Sequence, residues 1–311
     1  MEKRPLVVIG GATAVGKTAL SVDLAGRIGG EIISADSMQV YKGMDIGTAK
    51  IKEEEMQGIC HYMIDVAGPD ENFNVFEFKE KADIYIEQIY QNGHIPILAG
   101  GTGFYIQAIL YDIDFSKEET DSSYRKYLET LSEASLYIML KEADPDSACL
   151  IHQNNKKRMI RALEFYHNTG RAISEHNAKQ RQNISPYSYV YFVLNRDRAE
   201  IYKRIEERVD DMIEDGLEDE VRGLLRSGIP ESAASMQAIG YKEMASYIKG
   251  EIGLDEARDL IKLNSRHFAK RQITWFKREK EAVWINYEDH PGQGEMLAAM
   301  ISILKERHII V

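Results

Sequence analysis

Residues Leu6–Thr18 read LVVIGGATAVGKT. An apolar run that stops abruptly at glycine suits a strand buried on both faces. The spacing that follows, Gly11-x-x-x-x-Gly16-Lys17-Thr18, is that of a phosphate-binding loop. Along Gly11, Ala12, Thr13, Ala14, Val15 and Gly16 the glycines let backbone N–H groups turn inward. Lys17 then reaches terminal phosphate oxygens, and Thr18 offers its hydroxyl to Mg²⁺. A helical pattern from Lys17 to Ile28 sets a helix N-terminus, with its partial positive charge, against the same anion. Strand, loop and helix in this order are far more specific than a glycine-rich turn. They point to a bound phosphate without saying whose.

Working outward, further short runs rich in β-branched or aromatic residues follow: EIISAD (31–36), HYMIDV (61–66), HIPILAG (94–100) and YSYVYFVLN (187–195). Helical patterns separate them, clearest from Val75 to Tyr90, where Phe78, Ala82, Tyr85, Ile86, Ile89 and Tyr90 recur at helical spacing. The alternation predicts an α/β fold, a P-loop NTPase-like parallel sheet flanked by helices. Such sheets bind ligands outside the carboxyl ends of their strands. Between Asp112 and Pro186 the strand signal stops and polar, helix-favouring sequence takes over, with a turn at Asp144-Pro145-Asp146. We read 112–186 as an all-helical insertion domain within a core domain formed by 1–111 and 187–311. From Asp197 onward the chain is again mostly helical and ends in a short strand, Val283–Tyr287.

At 311 residues and 44% hydrophobic composition, the chain can bury one large core or two modest ones. No apolar leader precedes the glycine loop, and no run approaches the roughly 20 residues of a bilayer span. The expectation is a cytoplasmic protein with no membrane partner. Cys60 and Cys149 lack disulfide or zinc spacing and read as small apolar fillers in a reducing compartment. The histidines show no ligand spacing. A net charge of −11 argues against nucleic acid on average, yet the charge is segregated. Asn155–Arg161 carries four positive residues in seven, Arg266–Lys280 carries six Lys or Arg among three aromatics, and acids gather from Asp210 to Glu220.

Most P-loop nucleotidases place a metal-organising Asp at the end of a central strand. Here HIPILAG ends in Gly100-Gly101-Thr102, and no Asn-Lys-x-Asp guanine-reading motif occurs, which disfavours GTPases and motor ATPases. The second strand instead ends in Ser34-Ala35-Asp36-Ser37-Met38-Gln39. A carboxylate there faces the phosphate loop across the binding edge and suits a general base, although Asp followed by Ser also suits a turn cap. Gly100–Gly103 repeats the strand–glycine–helix logic and adds the Thr102 hydroxyl; close strand–helix packing explains it equally well.

Taken in order, GATAVGKT (11–18), SADSMQVYKGMDIGTAK (34–50), GGTGFY (100–105) and RQITWFKR (271–278) resemble the tRNA dimethylallyltransferases, the tRNA isopentenyltransferase family, over nearly the whole chain. Ala12 and Val15 depart from the Pro and Ser common in that family, at variable loop positions. The cysteine count offers no C-terminal zinc finger of the eukaryotic kind, which favours a bacterial-type enzyme. The resemblance implies transfer of a dimethylallyl group from dimethylallyl diphosphate to N6 of the adenine 3′-adjacent to the anticodon, releasing diphosphate, with Mg²⁺ as cofactor. It implies Asp36 as base, Thr102 as an assistant near the transferring group, and Arg222 as an arginine holding the diphosphate. By sequence alone, Arg222 equally suits ion pairs with Glu218 and Asp219 on one helix. The target base lies in an anticodon stem-loop and must be extruded to react. Implied tRNA contacts are Asp36, Ser37, Met38, Gln39, Thr102, Arg125, Lys157, Arg158, Met159, Ile160 and Arg161, with the Met236–Tyr241 stretch. The competing readings are a P-loop kinase of a small molecule or nucleotide, and a non-catalytic RNA-binding protein with a vestigial loop.

Overall fold

Leu6, Val7, Val8 and Ile9 are fully buried, as a central strand covered on both faces requires. They lie in β1 (Arg4–Gly11), which pairs in parallel with β4 (Ile95–Gly100) on one side and β5 (Tyr187–Asn195) on the other. With β2 (Gly30–Ser34), β3 (His61–Tyr62) and β6 (Val283–Asn286), the six parallel strands run in the order β3-β2-β4-β1-β5-β6. The fold is α/β, a parallel sheet flanked by helices, as the alternation predicts. The structure is a computed structural model and describes residues 3–115, 122–180, 183–290 and 292–311.

Helix α1 (Lys17–Ile28) leaves the phosphate loop and packs its apolar residues, with those of the C-terminal helix, on the core cluster of β1, β4 and β5. Helix α2 (Val75–Gln91) starts at an Asn74 capping box with Glu77 and buries Phe78, Ala82, Ile86 and Ile89. Helix α3 (Gly103–Leu110) follows β4 directly.

The chain divides into two compact units, 1–110 with 186–311, and 111–185. The second unit holds α4 (Ser122–Thr130), α5 (Glu133–Ala143), α6 (Pro145–Leu150), α7 (Lys156–Thr169) and α8 (Ile173–Gln180). Its core is built from Leu128, Leu136, Leu140, Met159, Ile160 and Leu163. In the first unit, α9 (Arg198–Glu214), α10 (Leu217–Arg226), α11 (Tyr241–Ile248) and α12 (Leu254–Phe276) follow β5, and α13 (Gln293–Glu306) follows β6.

Three expectations need correction. HYMIDV pairs only at His61 and Tyr62, because Met63 and Asp65 adopt left-handed backbone that no strand continues through. The chain does not end in the strand at 283: α13 follows it and contributes Met296, Leu297, Met300 and Leu304 to the sheet core. Cys60 and Cys149 are both exposed rather than buried fillers, the first before edge strand β3 and the second on the outer face of α6. Among the described residues, no helix is long and apolar enough to cross a membrane.

Candidate active site

The carboxyl ends of β1, β2 and β4 bring three loops to one edge of the sheet. In the first, Gly16 caps α1 with φ 107°, a left-handed conformation, and a Cβ there would meet the Tyr287 hydroxyl at 2.5 Å. The first-turn N–H groups of α1 have no intrahelical acceptors and are free to meet an anion. Lys17 Nζ donates to the carbonyls of Gly11 (3.0 Å) and Ala12 (2.8 Å), folding the loop back on itself. Burial pulls its ammonium down to about 8; Asp36 opposes the shift and Arg208 adds to it.

Three guanidinium groups brace the loop from outside. Arg196 Nε donates to Val15 O (3.0 Å), Arg204 Nε to Ala14 O (2.9 Å), and Arg208 to the Thr13 hydroxyl (3.4 Å). Arg196 also lies 3.3 Å from the Tyr287 ring centroid. Arg208 is held below the ordinary arginine range by burial and by Arg204, while Asp36 and Asp211 counteract. A loop bonded by three guanidinium groups and carrying Lys17 attracts a compact multivalent anion.

The second and third loops meet each other. Asp36 Oδ1 accepts the Met38 N–H (2.9 Å), so the turn-capping role is real. It does not exhaust the carboxylate, which has further acceptor sites and is electrostatically coupled to Lys17 and Arg208. Thr102 Oγ1 accepts the Ser37 N–H (3.1 Å) and donates toward Ser37 Oγ (3.4 Å), while the Thr102 N–H donates to Ala35 O (3.0 Å). Gln39 is turned inward: its Oε1 accepts from Ser34 Oγ (3.0 Å) and its Nε2 donates to the carbonyls of Thr48 and Ala49 (3.4 Å each).

Buried Gln272 of α12 ties the phosphate loop to the Thr102 loop. Its Oε1 accepts the Thr13 N–H (2.8 Å) and its Nε2 donates to Gly101 O (3.0 Å).

Several expected site residues have local partners of their own. Arg222 stands on α10 in a close pair with Glu218, the local alternative that helix spacing offers. The arginines bonded to the phosphate loop are Arg196, Arg204 and Arg208, which sequence reasoning missed. Their signal was present: Ile201, Ile205 and Val209 mark the buried face of α9, and Arg204 and Arg208 border it at i, i+4 spacing. In the helical unit, Lys157, Arg158 and Arg161 are exposed, whereas Met159 and Ile160 lie in its core and cannot present side chains to RNA. Lys156 is committed to the carbonyls of Glu129 and Leu131 (2.7 Å each). Arg125 is half-exposed and pairs with buried Glu164 (3.1 Å). Met236 and Tyr241 are buried, not displayed for contact.

The chain as a whole has close relatives. Residues 39–279 match the IPP transferase family. A tRNA dimethylallyltransferase from Lachnoclostridium phytofermentans is 53% identical over 311 residues, covering 99% of each chain. The chain belongs to the IPP transferase family. Among solved structures of the family, the full-length tRNA isopentenylpyrophosphate transferase from Bacillus halodurans is 42% identical, with TM-score 0.74 and 98% of each chain covered. A eukaryotic dimethylallyltransferase acting on tRNA is 28% identical with TM-score 0.85, covering 98% of this chain and 80% of that one. Family membership sets aside the kinase reading.

Proposed function

We propose that this IPP transferase moves a dimethylallyl group from dimethylallyl diphosphate to N6 of the adenine 3′ to the anticodon in tRNA, releasing diphosphate. What carries the reading is the juxtaposition of Asp36 and Thr102 with Lys17 and Arg208 at one sheet edge. In the reaction, the bond between N6 and the allylic carbon forms as the carbon–oxygen bond breaks. Negative charge then grows on the departing diphosphate, where loop amides, Lys17 and Arg208 stabilise it, the type of interaction that contributes most to many catalysed transfers. We assign Arg208, not Arg222, to this grip. The adenine amine is a weak nucleophile because its lone pair is delocalised into the ring. Asp36 accepts its proton as the new bond forms, and Thr102 fixes the turn that carries Asp36.

The residues present fit magnesium bound through its substrate. Among the described residues there is no cluster of three His, Cys, Asp or Glu that could cage a metal. Thr18 is exposed at the start of α1, so its hydroxyl can share a hard ion with diphosphate oxygens and water. Bound there, Mg²⁺ supplies charge neutralisation on the leaving group.

Asp36, Ser37 and Met38 offer the edge against which an extruded adenine fits. The exposed Lys157, Arg158 and Arg161, with Arg125, suit the anticodon-stem phosphates, which gives the helical unit its role. The deciding experiment supplies dimethylallyl diphosphate labelled in the prenyl group, tRNA and no ATP. Label in tRNA supports the reading, and label absent from a tRNA with an intact target adenine refutes it.

A further inference from the structure

Glu220, the last residue of the acidic run from Asp210, is the most heavily bonded carboxylate around the site. On α10, its Oε2 accepts the backbone N–H groups of Asp45 and Ile46 (2.8 Å each). Its Oε1 accepts the Gly47 N–H (3.2 Å) and the Tyr241 hydroxyl (2.5 Å). Three successive amides turned onto one anion make the kind of nest that elsewhere receives a phosphate oxygen. Here a side chain of the same protein fills it, and four donors occupy all of its lone-pair sites. Tyr241 is fully buried at the start of α11. Burial, then the neighbouring Glu220 charge, holds its phenol far above the ordinary range, so it remains a hydroxyl donor. The fit leaves no room for a side chain at position 47, where a Cβ would lie 2.4 Å from the Tyr241 ring.

The backbone so gripped is the outer limb of the segment whose inner limb is Asp36–Gln39. Gln39 joins the limbs through the carbonyls of Thr48 and Ala49. Lys50 closes the far end on Tyr41 O (2.9 Å), Asp45 (2.5 Å) and Asp65 (2.6 Å). The segment is therefore a closed loop bolted at residues 45–47 to α10 and α11. The bonds of Glu220 go to this loop and to Tyr241, so any effect on the chemistry must travel through the loop.

We propose that Glu220, together with Tyr241, is a positioning residue that sets the acceptor side of the site, and with it tRNA recognition, while leaving the diphosphate grip unchanged. The proposal rests on the tRNA-prenylating reading above. Its test is Glu220→Gln, which replaces one acceptor oxygen with an NH₂ group that must face amide or hydroxyl donors. Steady-state kinetics would vary tRNA and dimethylallyl diphosphate separately, with calorimetry of inorganic diphosphate binding alongside. The expected result is a KM for tRNA raised at least about tenfold, with the KM for the prenyl donor and the Kd for diphosphate within about twofold of wild type. A tRNA KM that does not move overturns the proposal, even if kcat falls, because a structural defect alone reduces the active fraction without that split. A parallel rise in both KM values overturns it as well. Should circular dichroism show Glu220→Gln unfolded, Tyr241→Phe decides, since it removes one donor and leaves the three amides on the carboxylate. It is expected to show the same split at about threefold, and an unchanged tRNA KM then rejects the clamp. A wild-type protein that fails to prenylate tRNA sinks the functional reading instead, whereas an active wild type with an indistinguishable Glu220→Gln sinks the clamp alone.

Discussion

The phosphate loop and helix α7 both gather positive charge, but in opposite surroundings. At the loop, Lys17, Arg204 and Arg208 are partly withdrawn from water, and burial together with their mutual repulsion pulls Lys17 and Arg208 below their ordinary pKa values. On α7, Lys157, Arg158 and Arg161 stand in solvent. Desolvated cations favour one compact, highly charged anion, and salt screens them weakly. Exposed cations cost little to hold charged, suit an extended polyanion, and lose their attraction beyond a Debye length of about 8–10 Å. On the function proposed above, one cluster would meet a leaving group and the other a backbone of phosphates.

The largest effect should come from a change that leaves both clusters intact. Asp36→Asn keeps the size of the side chain and an oxygen for the Met38 N–H but cannot take a proton. The single-turnover rate should drop about 10²–10⁴-fold, with tRNA affinity preserved. Parallel loss of rate and tRNA affinity would instead make Asp36 a cap and nothing more.

Next in size is Arg208→Ala. A hydrogen bond to a charged partner contributes about 1.5–3 kcal/mol, so diphosphate affinity should weaken by about ten- to a hundredfold. The loss should change little with salt. Arg222→Ala, which breaks only the pair with Glu218, should leave diphosphate affinity within about twofold. The reverse ranking would restore Arg222 to the grip and undo the assignment.

The Lys17 ammonium gives the same cluster a pH signature. With its pKa lowered to about 8, it is charged below that pH and neutral above it. Diphosphate affinity of the free protein should therefore fall as pH rises through 8, and the bound anion should push the titration higher in the complex. Calorimetry across about pH 7 to 9 checks this, and a flat profile would show that another cation carries the charge.

Legibility in the sequence followed the range of the interactions. The phosphate loop was readable because its geometry is local: a strand end, a left-handed glycine and a helix start lie within Gly10–Lys17. The placement of Asp36 and Thr102 was readable because each lies two residues beyond a strand of a parallel sheet, where ligands collect. The bracing side chains were not, because Arg204 lies 190 residues from the carbonyl it bonds and Gln272 lies 259 from the amide it accepts. Arg222 is the converse case. Its bond to Glu218 is local and visible, whereas its proposed role required a distant approach. Met159 and Ile160 sit inside a basic stretch, yet helical periodicity turns them to the core while their charged neighbours face out.

On the exposed side, replacing both Lys157 and Arg158 with Ala should weaken tRNA binding by up to about tenfold at low salt and flatten the salt dependence. Two phosphate contacts correspond to a slope change of about 1.4–1.8. Filter binding at graded salt measures it, with diphosphate affinity as the unaffected control. An unchanged slope would remove this face from the tRNA interface.

The smallest effect on the site should come from inside the helical unit, where Asp144 is the buried counterpart to those exposed charges. Its carboxylate is fully buried and accepts the N–H groups of Ser147 and Ser174 (2.9 Å each) and the Ser174 hydroxyl (2.6 Å), joining α6 to α8. Burial alone would raise its pKa, but these donors outweigh burial and leave it lowered. A carboxyl group whose folded pKa is depressed contributes stability that is present above its unfolded value and lost as pH falls through the folded one. Asp144→Asn puts an NH₂ group where Ser174 also donates, so it should destabilise the helical unit by about 1–3 kcal/mol. It should also abolish this residue's share of the acid-induced loss below its ordinary 3.8. Hydrogen exchange of α6 and α8 against pH measures both effects. Diphosphate binding at the sheet edge should not change, because none of the Asp144 bonds reaches the phosphate loop. If diphosphate affinity fell together with exchange protection, the two cation clusters would be energetically coupled, and their assignment to separate anions would have to be given up.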